Sequence, residues 1–470
     1  MAHCLRIERS DNIPKYKYIG DKTTLNMAKQ RKIQDYDWLY SFLRHYVDAM
    51  VRLSYRDIRY VGLDRIPKDG AVIYAPNHTG TLMDAMLLLA MDTTPKVFVA
   101  RADIFKNPKI AKILTFLKIL PIMRMRDGID EVKRNNETIK KAVDVLRDKI
   151  PFCIFPEGQH QTKYSTLPLA KGIFRIAFQA QELMPETPLY IVPVGIRYGN
   201  FFRFRSTVRV QIGDPINVRD FFEANSELNT QEQMNSMRVV LEERLRDSIF
   251  YIPNDEDYEA MYEICATVVK HQTKNCKFVV DGKRLRGMDA HFEANNRTVR
   301  EVMRLKESNP EVAAELLQLG KEAYEMRTQQ SISLKSVSAK NGLASRIMQM
   351  FFFILKLPYT IPASILTLPM VAAVKFLFTK IKDHAFRNSI RFLINLVLWP
   401  ILMIIYAAVA YSLLPWEWAL PITLALLPAP IVAQETWRML RLFKSDIKLH
   451  NNKNLRDKYK KIRTLFLQNR

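Results

Sequence analysis

The chain has 470 residues, 48% of them hydrophobic and 25% charged, with 14 Gly and 23 Pro. That balance excludes disordered, collagen-like and low-complexity classes, and the length exceeds one ordinary domain. A net charge of +23 points to an anionic partner, while four cysteines (Cys4, Cys153, Cys265, Cys276) are too few for a disulfide scaffold.

Residues 1–56 are expected to form an N-terminal amphipathic helical region. The first 32 residues are polar and mixed in charge, so no cleaved signal peptide is expected. Trp38, Leu39, Phe42, Leu43, Tyr46, Val47 and Met50 then recur at helical spacing opposite Arg44, Asp48 and Arg52. Such a helix either lies in a membrane interface or packs its apolar stripe on the core.

From 57 to 250 short apolar runs alternate with helical stretches, the pattern of an α/β domain. The predicted strands are Ala71–Ala75, Lys96–Ala100, Ile119–Met123, Phe152–Phe155, Leu189–Val194 and Thr207–Gly213. Predicted helices cover Leu82–Met91, Pro108–Lys118, Glu131–Arg147 and Lys171–Glu182. Residues 251–340 are polar and helix-prone without a strand signal, and read as a soluble helical insertion.

Within 341–391, the apolar run Ile347–Val374 is interrupted by Pro358, Pro362 and Pro369. Prolines remove backbone donors, so this segment is expected to be interfacial or re-entrant. Residues 392–436 are expected to form a transmembrane helical hairpin: Phe392–Leu414 carries no charge, Trp418–Gln434 carries none, and Pro415-Trp416-Glu417-Trp418 turns between them. Lys375–Arg391 holds five basic residues against one acidic (net +4), and Glu435–Arg470 eleven against three (net +8). Basic flanks on both sides of an apolar block put both ends in the cytoplasm, and residues 437–470 read as a basic cytoplasmic tail. A nucleic-acid binder would spread its Lys and Arg along a folded face; no nucleic acid is expected as a partner.

Three predicted strand ends carry polar groups. Ala71-Val-Ile-Tyr-Ala-Pro-Asn-His78 runs into Thr79-Gly80-Thr81 and a helix bearing Asp84. Thr81 and Asp84 have capping-box-like spacing. On one continuous helix His78 and Asp84 would be ~240° apart, so they meet only if His78 lies in a turn that folds back, which Gly80 permits. A His held by a carboxylate is a general base in one tautomer; the alternative is a structural turn with a capping Asp. No nucleophile elbow Gly-x-Ser-x-Gly occurs, so such a base would act on a substrate hydroxyl. Phe152-Cys-Ile-Phe-Pro-Glu157-Gly158 and Leu120-Pro-Ile-Met-Arg124 are the second and third, ending in a carboxylate and in an arginine suited to phosphate. Taken singly, each is an ordinary turn or surface charge. Cys265, His271 and Cys276 lack paired zinc spacing, and no metal is expected.

In order, Asn77-His78…Asp84, Arg124, Phe155-Pro-Glu157-Gly158 and Ile191-Val-Pro-Val-Gly195 resemble the four blocks of the glycerophospholipid acyltransferase family. The resemblance covers roughly residues 57–250. It implies an acyltransferase core with a mixed sheet flanked by helices, His78 and Asp84 as the catalytic pair, and Arg124, Glu157 and Gly158 at the acceptor. Val192-Pro193-Val194-Gly195 is associated with the acyl-donor side and the core. Five residues separate His78 from Asp84 where the family usually has four, and Leu120-Pro121 replaces a glycine before the arginine. Both departures, with Leu167-Pro-Leu-Ala-Lys171-Gly172, are similar to the branch acylating glycerol-3-phosphate or dihydroxyacetone phosphate. The implied activity moves an acyl chain from acyl-CoA or acyl-carrier protein to glycerol-3-phosphate or 1-acylglycerol-3-phosphate, without metal or bound cofactor. The implied partners are membrane lipids, the glycerol phosphate acceptor and the acyl carrier, with the catalytic domain on the cytoplasmic face of a bacterial inner membrane. Another lysophospholipid or aminolipid as acceptor, or a non-catalytic membrane scaffold, are the alternatives.

Overall fold

A computed structural model describes residues 32–123, 135–275, 278–280, 283–338 and 342–469. Its centre is a mixed sheet of β1 (Tyr55–Val61), β2 (Ala71–Pro76), β3 (Val97–Arg101), β4 (Ile119–Ile122), β5 (Phe152–Cys153), β6 (Leu189–Tyr198), β7 (Ser206–Ile212) and β8 (Ile216–Asn217). The order is β1-β7-β6-β2-β5-β3-β4, with β8 beside β6. All neighbours on the main path are parallel except β6 and β7. Strand β2 is buried at every position, as a central parallel strand covered on both faces must be. The first strand, starting at Tyr55, has no counterpart in the predicted set. Its exposed, charged positions at Arg56, Asp57 and Arg59 mask the alternation of an edge strand.

Helix α1 (Trp38–Ser54) precedes the sheet. The crossovers are α2 (Leu82–Leu89), α3 (Pro108–Phe116), α4 (Asn135–Arg147) and α5 (Gly172–Leu183), and α6 (Val218–Ala224) and α7 (Thr230–Ser248) close the domain. Two apolar clusters, one on each side of the sheet, contain Leu87, Leu88, Val192 and Val194, and Ile73, Phe152, Phe174 and Ile191, all fully buried.

Helix α1 combines the two expectations. Arg44, on the supposed polar face, is buried and donates to the carbonyls of Leu89, Asp92 and Thr94, capping the end of α2. Trp38 and Phe42 face outward at 70% and 68% exposure. The stripe is therefore split: Val47 and Met50 pack against the core, whereas Trp38 and Phe42 do not, and Tyr46 donates to the carbonyl of Leu396 in the C-terminal apolar helices.

The insertion holds α8 (Tyr258–Asn275), α9 (Gly287–Ser308), α10 (Pro310–Gln329) and α11 (Leu334–Ser338). Contrary to the strandless reading, it also contains a two-stranded antiparallel ladder, β9 (Val279–Val280) and β10 (Lys283–Arg284). Buried Glu263 binds Arg327 at 2.8 Å and accepts from Tyr459 at 2.6 Å. Tyr459 belongs to the last helix, so the basic tail is docked on the insertion.

The C-terminal third is helical: α12 (Leu343–Leu366), α13 (Leu368–Lys380), α14 (Arg387–Leu413), α15 (Trp416–Leu426), α16 (Ala429–Asn451) and α17 (Lys453–Gln468). The prolines do not break α12; Pro358 and Pro362 lie inside it. Among the described residues, two helices are long and apolar enough to cross a membrane, Ala344–Leu366 and His384–Leu413. The second arm of the expected hairpin is bent by 50° between α15 and α16. Segment α12–α13 leaves the α/β domain and returns to it: Leu366 accepts from Tyr406, far along α14, whereas Asp383 binds His160 in the domain.

Candidate active site

The site forms because two parallel strands end side by side. Ile73 pairs with Phe152 and Tyr74 with Cys153, and continuing that register brings His78 level with Glu157. The His78 backbone N–H donates to Glu157 Oε1 at 3.3 Å. On the other flank the ladder to β6 is extended by a side chain. Asn77 donates to the Ile196 carbonyl and accepts from the Ile196 N–H, at 3.1 and 2.6 Å. A buried amide at this point replaces backbone bonds that the turn abandons.

Beyond Asn77 the chain folds back. Asp84 Oδ2 accepts from the N–H groups of Thr79 and Gly80 at 2.9 and 2.7 Å and lies 2.8 Å from His78 Nδ1. Asp84 Oδ1 accepts from the Tyr198 hydroxyl at 2.7 Å. Asp84 is fully buried and His78 mostly so. Burial, and then the Asp84 charge, raise the Tyr198 phenol well above its usual range, so it stays a donor. The capping box expected of Thr81 is absent: Thr81 makes no side-chain cap bond, and its hydroxyl meets Ser389 at 2.7 Å. Asp84 is committed to the preceding turn instead. Gly80 is required there, because a Cβ would fall 2.5 Å from the Tyr198 oxygen and 2.8 Å from Asp84 Oδ1.

With Nδ1 held by Asp84, Nε2 is the ring nitrogen left to receive a proton. The ring stacks on Phe155 with centroids 4.2 Å apart, which fixes its plane. Glu157 is buried, its carboxyl pushed up to about 8 by burial, against the backbone N–H groups of His78 and Leu167; Asp84 adds to the rise. Its Oε2 has no partner. Gly158 follows at φ +61°, the left-handed turn that glycine adopts without strain. His78, Asp84, Glu157 and Gly158 are thus brought together. Arg124 lies outside the described residues.

Three neighbours escaped the sequence reading. Tyr198 sits four residues past the predicted end of its strand, and its role is set by cross-strand pairing. His160 meets His78 edge-on at 5.7 Å and bonds Asp383 Oδ2 at 2.7 Å, 223 residues away. Ser389, at the start of α14, donates to the Gly80 carbonyl at 3.4 Å. No local pattern signals such long-range partners, although His160 is three residues beyond Glu157.

A His held by a buried carboxylate at adjoining strand ends of an α/β sheet is suited to proton transfer, and ligands of such sheets bind at this edge. Residues 57–197 match the Acyltransferase family, and the chain carries a domain of that family. The chain is 29% identical over 133 residues to glycerol-3-phosphate O-acyltransferase 2 of Saccharomyces cerevisiae, covering 28% of this chain and 17% of that protein. An uncharacterized acyltransferase of Schizosaccharomyces pombe is 24% identical over 338 residues, 67% of this chain and 47% of the other. A 1-acyl-sn-glycerol-3-phosphate acyltransferase of Bacillus subtilis is 22% identical over 212 residues, 44% of this chain and 96% of its own length. The matches span under half the length of both yeast proteins.

Proposed function

We propose that the protein is a membrane-bound O-acyltransferase of phospholipid synthesis, with glycerol-3-phosphate or 1-acylglycerol-3-phosphate as acceptor and an acyl thioester, on CoA or acyl-carrier protein, as donor. The observation that carries this reading is the 2.8 Å contact of His78 Nδ1 with a buried Asp84, at strand ends where Glu157 also converges. His78 Nε2 takes the hydroxyl proton as the oxygen attacks the thioester carbonyl. The tetrahedral adduct then expels the thiolate, which leaves as a thiol with the proton returned from the imidazolium. Asp84 holds the tautomer and supports the positive ring. Glu157, protonated near neutral pH, offers an O–H to an acceptor oxygen, and Gly158 lets the backbone approach it. Arg124 anchors the acceptor phosphate by its planar fork. The relatives named for glycerol-3-phosphate and for its 1-acyl product support both acceptors.

In this reading the apolar helices sit in the membrane with the catalytic domain on the cytoplasmic face; a bacterial inner membrane is the compartment expected from the sequence. A cysteine replacing exposed Glu417 should then be labelled from outside cells and one replacing exposed Lys444 should not. Purified protein should transfer labelled acyl chains to phosphate-bearing acceptors and not to their dephosphorylated analogues. Equal transfer to the latter favours another lipid acceptor, and no transfer to any acceptor favours a scaffold.

A further inference from the structure

A cavity of about 240 Å³ lies where the sheet, the insertion and the apolar helices meet, and it shares no residue with the catalytic cluster. Its walls include Arg56 of β1, Lys335 of α11, Gln349 of α12, and Glu435, Arg438 and Asp446 of α16. Helices α12 and α16 are antiparallel here: Thr360 bonds Thr436 at 3.2 Å, and the shared surface turns apolar toward Ala363, Ala429 and Ala433. The cavity thus occupies the charged end of an otherwise apolar helix pair.

Positive charge is crowded around it. The Lys335 ammonium is held below its usual range by burial, then by Arg438, Arg56 and Arg203. Arg203 is lowered by burial and then by Arg441, with Arg56 adding to the effect. Three cations, Arg56, Lys335 and Arg438, thus line a space that holds two carboxylates, Glu435 and Asp446. Glu435 is shared between Arg56 and Arg438. Arg438 is 8% exposed, and its Nη1 is used by Arg205 O and Glu435, but its buried Nε has no partner. A buried guanidinium N–H without an acceptor is unfavourable, and one carboxylate shared by two arginines leaves room for a further anion.

We propose that this cavity binds the phosphate of an anionic phospholipid headgroup, as a second phosphate site apart from the catalytic one. Basic pockets between membrane helices take anionic headgroups for this reason, and guanidinium groups match phosphate oxygens by paired bonds. The volume is below the roughly 300–1,000 Å³ of clefts that enclose a drug-sized ligand, so a phosphate enters and the chains stay outside. Exposed Phe352, three residues past Gln349 and on the same flank of α12, gives those chains an apolar seat.

The test uses the full chain in phosphatidylcholine nanodiscs, with and without dioleoylphosphatidic acid, reading the unfolding midpoint and the binding of spin-labelled phosphatidic acid. Phosphatidic acid should raise the midpoint and phosphatidylcholine alone should not. Lys335→Gln should weaken binding about tenfold. Glu435→Gln should tighten it, because Arg56 and Arg438 lose their internal competitor; a variant that merely misfolds would not bind more tightly. Lys460→Gln, at an exposed lysine of the last helix, should leave binding unchanged. Arg124→Ala, which removes the phosphate anchor of the catalytic reading, should also bind normally, which separates this site from the catalytic one. Competition by millimolar inorganic phosphate would show that phosphate suffices; protection by phosphatidic acid alone would show that the lipid chains are read too. Indifference to phosphatidic acid, equal weakening by Lys335→Gln and Lys460→Gln, or weakening by Glu435→Gln would overturn the proposal.

Discussion

The α/β domain and the C-terminal apolar helices use the same side chains in opposite ways. Leu87 and Leu88, under the catalytic turn, are fully buried, whereas Leu355, Ile404 and Leu413 are 62%, 70% and 75% exposed. Only 11% and 28% of the two candidate spans is buried within the protein. In the first region apolar surface is removed from water by the sheet and its helices. In the second it stays exposed, on helices long and apolar enough to meet a hydrocarbon phase. Helix α1 belongs to both, with Arg44 turned in and Trp38 and Phe42 turned out. The catalytic turn lies on the seam, bonded to Ser389 at the start of α14.

The largest effect that tests this contrast is expected from Asp84→Ala. It would strand the Thr79 and Gly80 N–H groups and the Tyr198 hydroxyl in a dry interior. Each unsatisfied buried group costs about 1–3 kcal/mol, so the domain should lose several kcal/mol in chemical denaturation, and transfer should fall at least a thousandfold. For stability, removal of Asp84 should cost more than removal of His78, because the buried bonds converge on the carboxylate. A stable Asp84→Ala protein would show that the turn is held by something else.

Glu157 carries a pH signature of the buried region. Its folded-state pKa of about 8 is above the ordinary carboxyl value, so the folded chain keeps a proton that the unfolded chain releases. The stability contributed by this group is full below about pH 4.5 and is lost as pH rises through about 8. Glu157→Gln should therefore lose on the order of a few kcal/mol less than wild type between pH 5 and pH 8. Parallel profiles for the two proteins would contradict a buried, protonated Glu157.

The outer region is probed by Ile404→Asp. If the exposed face meets lipid, a charge at mid-span costs about 2.5–3.5 kcal/mol and membrane insertion should fall, measured as the carbonate-resistant fraction. If that face meets water, the change should stay within about 0.5 kcal/mol. The smallest effect is expected from Tyr198→Phe, which removes one of four donors to Asp84. About 1 kcal/mol of stability should be lost, with a drop in kcat of up to about tenfold. No change in either would mean that the Tyr198 bond is dispensable.

Much of the α/β domain was legible because β2, β5 and β6 are continuous apolar runs punctuated by Pro, Gly and polar residues. The fold-back at Gly80 was legible because His78 and Asp84 cannot meet on one helix. The edge strand at Tyr55 was not, since its outward charges hide the alternation. The continuity of α12 through Pro358 and Pro362 was missed because the argument from lost donors takes the helix alone, whereas packing on neighbouring helices such as α16 tolerates internal prolines. Tyr198, His160 and Ser389 were missed because their partners are 114, 223 and 309 residues distant. Arg124 carries its expectation from its place at a predicted strand end and from the resemblance.

The most direct measurement is the kcat of full-length His78→Ala with labelled acyl-CoA and glycerol-3-phosphate, beside its unfolding midpoint. General-base catalysis contributes typically 10²–10⁴-fold, so transfer should fall by about that factor or more while the midpoint stays near wild type, because His78 sits at the open end of the sheet. A normally folded His78→Ala protein that keeps a tenth or more of the wild-type kcat would contradict His78 as the base.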